Sequence, residues 1–366
     1  MRMRGVAALC VAIGLAVAAC GATGSSGGGL GAKGKPVTLT VGYQPYYSEA
    51  WSGLVLRSKQ FWRKYLPAGS KVNFQVGLQG SVLVSQMLAG KQQIGYMGDM
   101  PAIVGVSKRS QRDLRIVGTL GQASDQCAVF LVRADAPQFP DQASAVKWMN
   151  GKTVATPQGS CTDRIAQATF QKLGVKPKQY LNQSLDVIAS SFKSHKIDAA
   201  IVWEPTASRL VNAGLAKRVA SGALAHEDDA GYLVMSKQLL DQRPDIAEDW
   251  MKAELDAERY LADPAHANEI AQMAKQQTQG LSTQDLWDAL YKQWPASEGG
   301  STNGVRIKLP FLVDATAKAH IGTSAAFLNK IHAIGSPQLP PGAVDDAVAV
   351  KALGGAQAPG AIEAQK

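Results

Sequence analysis

The side chains that most often perform catalysis are scattered along this sequence. Residues 144–147 and 190–193 have the Ser-x-x-Lys spacing of penicillin-recognising enzymes, in which the serine is the nucleophile. Neither segment is accompanied by the Ser-Asp-Asn or Lys-Thr-Gly motifs that complete such a site. No clear catalytic partner accompanies any of the five histidines, His195, His226, His266, His320 and His332. Since the cysteines and histidines also lack metal-ligand spacing, the sequence predicts a protein that is not an enzyme and has no cofactor.

The chemistry predicted at the N-terminus is lipid attachment. Arg2 and Arg4 precede an uncharged apolar run over residues 6–19, which is shorter than the ~20 residues of a membrane span and typical of a secretory signal. Small residues directly before Cys20 resemble the bacterial lipobox, after which cleavage leaves a lipidated cysteine; the alternative is an ordinary Ala-x-Ala cleavage site. We predict a signal peptide at 1–19, and a lipidated Cys20 with a flexible Gly/Ser-rich tether at 20–35.

An exported chain would place the two remaining cysteines in an oxidising compartment. Cys127 and Cys161 are therefore predicted to form a disulfide, with two unpaired thiols as the alternative. The net charge is +9, and about +7 without Arg2 and Arg4. Because the basic residues are scattered rather than clustered, the sequence does not predict a nucleic-acid partner.

Strand-like and helix-like segments alternate after the tether. Residues 37–43 and 71–77 have the β-branched alternation of strands, whereas residues 49–66 carry apolar side chains at helical spacing. Such alternation is typical of βα units around a mainly parallel sheet. About 330 residues exceed what one core usually organises, so two lobes are expected. The predicted divisions are lobe 1 at 36–125, lobe 2 at 126–225, the return to lobe 1 with C-terminal helices at 226–336, and a disordered tail at 337–366.

The predicted fold is an α/β fold of two lobes, each a mainly parallel sheet flanked by helices, joined by a hinge of two crossing strands. Ligands of open α/β sheets bind outside the carboxyl ends of the strands. Two such lobes on a hinge would close over a small molecule.

Several short motifs occur in a fixed order between residues 36 and 240. They are Gly-Tyr-Gln-Pro at 42–45, Leu-Ala-Gly-Lys at 88–91 followed by Ile-Gly at 94–95, Gly-Asp-Met-Pro at 98–101, Gly-Lys-Thr-Val-Ala at 151–155, and Asp-Ala-Ala-Ile-Val-Trp-Glu-Pro at 198–205. Their order and spacing resemble the nitrate/sulfonate/taurine-type solute-binding proteins of ABC importers, which have the type II periplasmic-binding fold. The resemblance implies a monomer that binds a small molecule, delivers it to an ABC permease, and is held by its lipid on the extracytoplasmic face of the cell membrane.

The same resemblance implies a ligand site in the cleft. The residues it implies are Tyr43, Gln44, Tyr46, Gly80, Ser81, Gly98, Asp99, Gln126, Ser160, Cys161, Thr162, Trp203 and Glu204. Helix N-termini among them bind anions through unpaired N–H groups. As alternatives, the tyrosines and Trp203 pack in the core, and Ser160, Asp99 and Glu204 only cap helices.

The acidic side chains leave the charge of the ligand open. Asp99, Asp125 and Glu204 are compatible with a zwitterion or an amine as well as with an anion. A different class of function is also open, in which a surface lipoprotein or sensor partner binds a small amine or heterocycle without transport.

Overall fold

The computed structural model describes residues 30–108 and 113–365. The predicted signal peptide and Cys20 lie outside these described residues. The strands are β1 (Thr38–Tyr43), β2 (Lys71–Val76), β3 (Ile94–Gly98), β4 (Leu114–Ala123), β5 (Val129–Arg133), β6 (Thr153–Thr156), β7 (Gln179–Asn182), β8 (Ala199–Val202), β9 (Ala216–Ser221), β10 (Asp229–Ser236), β11 (Val305–Leu309) and β12 (Gly360–Glu363).

The helices surround these strands. They are α1 (Ser52–Lys59), α2 (Gly80–Leu88), α3 (Asp99–Ser107), α4 (Gln142–Trp148), α5 (Cys161–Leu173), α6 (Leu185–Lys193), α7 (Thr206–Asn212), α8 (Lys237–Gln242), α9 (Pro244–Ala262), α10 (Ala267–Gln277), α11 (Thr283–Tyr291), α12 (Ala315–Lys330) and α13 (Ala347–Leu353). None of the helices in the described part combines the length and the apolar character that a membrane crossing requires.

The strands form two sheets, one in each lobe. The larger sheet has the order β12-β11-β4-β10-β3-β1-β2, and the smaller has the order β7-β6-β8-β5-β9. β1 is parallel to β2 and β3, and β6 is parallel to β7 and β8, whereas β10 and β5 run antiparallel to their neighbours. The predicted two-lobed α/β fold is confirmed, with reversed strands in each sheet.

Central strands are covered on both faces, which explains why β3, β5 and β8 are almost continuously apolar. In β5, Phe130 and Val132 belong to one core cluster and Val129 and Leu131 to another. Successive side chains of a strand point to opposite faces, so a sheet between two helix layers needs apolar residues at every position.

Two segments connect the lobes. The chain passes from β4 to β5 through residues 124–128 and returns from β9 to β10 through residues 222–228. The predicted boundaries after residues 125 and 225 fall within these crossing segments.

The C-terminal end differs from the expectation of a disordered tail at 337–366, which is wrong. α13 and β12 lie in this range, and β12 pairs antiparallel with β11. Ala349 and Ile362 are at most 2% exposed. The Pro/Gly/Ala-rich composition was therefore misleading, because a few apolar side chains are enough to anchor a short helix and an edge strand.

The predicted tether also ends earlier than residue 35. The guanidinium of Arg243 donates to the carbonyl oxygens of Leu30 and Lys35, at 2.8 and 2.9 Å. Leu30 itself is buried. Arg243 is fully buried and needs acceptors, so it holds residues 30–35 against the start of α9.

Candidate functional site

A cleft of about 590 Å³ lies between the two lobes. It is lined at the carboxyl ends of β1, β3, β6, β7 and β8, where helix N-termini meet. The lining residues are Gln44, Tyr47, Gln79, Gly80, Ser81, Val84, Ser85, Gly98, Asp99, Met100, Pro101, Val104, Lys108, Pro157, Gln158, Gly159, Ser160, Cys161, Asn182, Gln183, Ser184 and Trp203. Most of the polar ones are neutral amides and hydroxyls.

Three helices direct N-termini without side-chain caps at this cleft. α2, α5 and α6 begin after Gln79, Ser160 and Ser184, each with extended backbone, and none of these three side chains accepts a hydrogen bond from its helix. The first-turn N–H groups of a helix have no intrahelical acceptor and carry a partial positive charge. The arrangement therefore offers the cleft several backbone donors suited to an oxyanion.

The partial positive charge at the start of a fourth helix, α3, is already neutralised by a carboxylate. In α3, Asp99 accepts from the Met100 N–H at 2.7 Å and contacts His320 Nε2 at 2.9 Å and the Ser324 hydroxyl at 2.8 Å. Its carboxylate also lies 3.9 Å from the Arg164 guanidinium of α5. Burial lowers the pKa of His320, although the Asp99 charge opposes this shift. Asp99, the first residue of α3, thus belongs to a buried network that joins the two lobes.

Two further carboxyl groups lie beneath the lining. The Tyr47 hydroxyl contacts both Glu49 and Asp229, the latter at 2.8 Å. One hydroxyl hydrogen cannot serve two carboxylates, so the carboxyl pair must retain a proton. In agreement, burial raises the pKa of Asp229 to about 7, and burial with the Asp229 charge raises that of Glu49 well above its ordinary range.

Eight of the implied ligand residues line the cleft. These are Gln44, Gly80, Ser81, Gly98, Asp99, Ser160, Cys161 and Trp203. The Ser160 hydroxyl donates to the Pro157 carbonyl, and its oxygen also contacts the Thr162 hydroxyl at 2.6 Å. The Trp203 indole N–H donates to the Tyr46 carbonyl at 3.0 Å and so spans from lobe 2 to lobe 1.

Five of the implied residues do not line the cleft. Tyr43 is fully buried against Phe74 and contacts Arg57. The Tyr46 hydroxyl accepts from the Gln279 N–H at 2.8 Å instead of facing a ligand. Tyr43 belongs to the core of lobe 1 and Tyr46 packs against that core, as in the packing alternative.

The other three are occupied by internal polar contacts. Gln126 accepts from the Ser48 hydroxyl at 2.7 Å, and Thr162 contacts Thr156 at 2.8 Å. Glu204 accepts from Arg218, at 2.9 Å. All three side chains are buried. Buried polar groups need hydrogen-bond partners within the protein, which explains these contacts. Glu204 therefore cannot pair with an amine in the cleft.

The sequence interpretation missed the wall formed by β7 and α6. Asn182, Gln183 and Ser184 line the cleft, but this segment was not identified as a strand and a helix. A signal was present, because Ser184 precedes Ile188 and Phe192 at helical spacing.

A disulfide joins Cys127 of the first crossing segment to Cys161 at the start of α5, with a Cα–Cα distance of 6.2 Å. The Cys161 sulfur that reaches the cleft is therefore bonded, so it is not a free nucleophile in this form.

Removing the disulfide is expected to lower the free energy of unfolding by about 2–4 kcal/mol, because the bridge closes a loop between residues 34 apart. Urea unfolding of a Cys127→Ser, Cys161→Ser double variant measures this loss. Wild-type protein in a reducing agent should unfold at the same urea concentration as the variant. An unchanged wild-type midpoint in the reducing agent would contradict the prediction.

Comparison with known proteins adds a family and several similar folds. A model of the NMT1-like family matches residues 32–275. A Brucella abortus protein, provisionally named a binding protein, is 24% identical over 172 residues, which are 46% of this chain and 49% of the relative. The chain thus spans about half the length of the curated relatives it matches.

Solved structures share the fold at low sequence identity. The alkanesulfonate-binding protein SsuA from Xanthomonas axonopodis pv. citri, bound to MOPS, matches with a TM-score of 0.65 and 19% identity, over 85% of this chain and 99% of SsuA. The nitrate-binding protein NrtA from Synechocystis matches with a TM-score of 0.65 and 14% identity, over 88% and 90%. The desulfurization enzyme DszB matches with a TM-score of 0.64 and 17% identity, over 87% and 99%. The fold is therefore shared by binding proteins and by an enzyme.

Proposed function

The chain belongs to the NMT1-like family, and from this membership and the cleft we propose that it is a solute-binding protein that delivers a small oxyanion-bearing solute to an ABC importer. The single observation that supports the oxyanion best is the set of uncapped starts of α2, α5 and α6 around one cleft. A cavity of about 590 Å³ is also within the usual size of small-molecule sites.

The lining supports an anion over an amine. Among the described lining residues, Lys108 is the only basic side chain and Asp99 the only carboxylate, and Asp99 already has partners. Gln44 is 5% exposed, and its Oε1 has no hydrogen-bond partner among the described residues. Its amide can rotate to present either the oxygen or the N–H₂ donors to a ligand.

Ligand binding would favour closure of the two lobes, because the backbone N–H donors around the cleft come from both lobes. α2 belongs to lobe 1, whereas α5 and α6 belong to lobe 2. An oxyanion held by both sets makes more contacts when the lobes are together, so it stabilises the closed arrangement. A permease that recognises the closed form would then receive only the loaded protein.

An enzymatic function has less support. Ser144 and Ser190, the serines of the two Ser-x-x-Lys segments, lie on α4 and α6 and do not line the cleft. The Ser190 hydroxyl donates to the Asp186 carbonyl, and Cys161 is bonded to Cys127. We therefore place binding ahead of catalysis for this chain.

A thermal-shift panel of sulfonates, nitrate, bicarbonate, amines and heterocycles tests the ligand class. A true ligand at a hundredfold excess over its dissociation constant stabilises the native state by about 2.7 kcal/mol, which raises the melting temperature by a few degrees.

Gln44→Leu should weaken binding of a charged ligand by about 1.5–3 kcal/mol, measured by calorimetry. Gln171→Leu, at an exposed position of α5, is the matched control and should bind normally. A panel in which only amines act would contradict the proposal.

We also propose that Cys20 is lipidated and holds the protein on the extracytoplasmic face of the membrane. Cys20→Ala should leave the protein without acyl chains, either uncleaved or released, and so lower its partitioning into the detergent phase, because two acyl chains give lasting attachment. Cys10→Ala, within the predicted signal peptide, is the matched control and should partition as wild type does. Equal partitioning of Cys20→Ala and wild type would exclude the anchor.

A further inference from the structure

A cluster of soft and hard metal-ligand atoms lies beneath the cleft. The Sγ atoms of Cys127 and Cys161 and a carboxylate oxygen of Asp229 all lie within 4.8 Å of one another, and the three residues are buried. Cys161 also lines the cleft, so small ions have a short path to the cluster.

The carboxylate part of the cluster has unused acceptors. Asp229 Oδ1 and Glu49 Oε1 receive no hydrogen bond from any described donor, although both residues are at most 3% exposed. Buried polar atoms are rarely left in this way. The Tyr47 hydroxyl contacts both carboxyl groups and so holds them side by side.

We propose that reduction of the disulfide converts this cluster into a binding site for a thiophilic divalent cation such as Zn²⁺, with Cys127, Cys161 and Asp229 as ligands. Sulfur and carboxylate oxygen are ligands that Zn²⁺ accepts in tetrahedral sites. Glu49, beside Asp229, offers the fourth oxygen.

The chemical balance is simple. A thiol reductant supplies two electrons and two protons, the S–S bond breaks to give two thiols, and the reductant is oxidised to its own disulfide. Each thiol then loses a proton as its bond to the cation forms. With Glu49 bound as a neutral acid, two thiolates and the Asp229 carboxylate exceed the charge of the cation by one. The guanidinium of Arg164, which donates to the carbonyl oxygen of the adjacent Asp228, is a positive charge beside the site.

The site would join three parts of the chain. Cys127 belongs to the first crossing segment, Cys161 to lobe 2, and Asp229 to the start of β10, directly after the second crossing segment. The disulfide links only the first two of these. A bound cation would therefore tie both crossing segments to α5, and only in the reduced protein.

Co²⁺ titration of the full chain carrying Cys20→Ser tests the proposal, with and without a phosphine reductant. Reduced protein should bind one Co²⁺ with a thiolate-to-metal absorption band, and Zn²⁺ should displace it with release of about two protons. Asp229→Asn should weaken binding about tenfold or more. Asp228→Asn, at the exposed neighbouring position, is the matched control and should bind normally.

Three outcomes would overturn the site. They are the absence of a thiolate band in the reduced protein, equal binding by the oxidised protein, and equal affinities of Asp229→Asn and Asp228→Asn. Circular dichroism checks that each variant is folded. The proton release is measured on the protein with Asp229 intact, so the test does not depend on the variants alone.

Discussion

Replacing Arg218 with Met is expected to lower the free energy of unfolding by about 3–5 kcal/mol, because it leaves the buried Glu204 carboxyl group without its cationic partner. Arg218 donates to Glu204 at 2.9 Å and lies 3.7 Å from the Asp125 carboxylate. Arg306 pairs with Asp125 from the other side. The side chains of all four residues are at most 2% exposed.

The network is a balanced set of two guanidinium and two carboxylate groups at the hinge. Arg218 and Glu204 belong to lobe 2, Arg306 to lobe 1, and Asp125 to the first crossing segment. Burial raises the pKa of Glu204, against the opposing effect of the two arginines. Replacing Arg218 therefore leaves the carboxyl group of Glu204 with neither water nor a full set of partners.

Urea unfolding measures the loss, with Arg133→Met as a matched control. Arg133 is in the same sheet but forms a partly exposed pair with Asp135, which is worth at most about 1 kcal/mol. Adding Glu204→Gln to Arg218→Met should recover part of the loss, because the uncompensated charge is removed. Equal losses for Arg218→Met and Arg133→Met would refute this account of the hinge.

The second large effect is a dependence of stability on pH from two glutamates of α9. Glu254 and Glu258 lie one helical turn apart and are at most 1% exposed. Burial raises the pKa of Glu254 to about 7, and burial together with the Glu254 charge raises that of Glu258 well above its ordinary range. The Tyr96 hydroxyl donates to Glu254 at 2.6 Å.

The sign follows from proton counting. Between pH 4.5 and 7 the unfolded chain releases protons that the folded chain retains, so the free energy of unfolding falls as pH rises. Glu254 alone contributes a loss of about 3 kcal/mol by pH 7, from its shift between a pKa of 4.5 and about 7. Glu258 adds to this loss.

Replacing both glutamates with Gln should therefore remove at least this part of the pH dependence. The difference in unfolding free energy between variant and wild type should move in favour of the variant by about 3 kcal/mol or more from pH 4 to pH 8. Urea unfolding at several pH values measures it. Glu248→Gln, on a partly exposed part of the same helix, is the control and should give a nearly constant difference. A constant difference for the double variant would contradict the shifted pKa values.

Much of the architecture was predictable because strands covered on both faces, such as β3, β5 and β8, need apolar residues at nearly every position. The repeated pattern of such a strand followed by a helix start, as at Gly98–Asp99, also placed the cleft. Both features depend on local sequence and on the general rule that strand ends and helix starts meet.

The failures arose where tertiary contacts override local pattern. Residues 49–66 have helical spacing, but α1 ends at Lys59, and Gln60 adopts a left-handed backbone with φ of 56°. Tyr43 and Tyr46 could not be told from ligand contacts, because an aromatic side chain after a strand suits a pocket and a core equally. The partner of a side chain can lie far away along the sequence. Gln279, which donates to the Tyr46 hydroxyl, is more than two hundred residues from it.

The order of the strands also has a consequence for how the chain acquires its shape during synthesis. All five strands of the smaller sheet lie within residues 129–221, so lobe 2 has its complete set as soon as that stretch has left the ribosome. The larger sheet instead places β10, from residues 229–236, between β3 and β4, and adds β12 from residues 360–363 at its edge. Domains form from the N-terminus as the chain emerges. Until β10 has been made, β3 and β4 therefore have edges without hydrogen-bonded partners, and the whole of lobe 2 is synthesised during this time. A chaperone that covers exposed strand edges would be needed most in this interval.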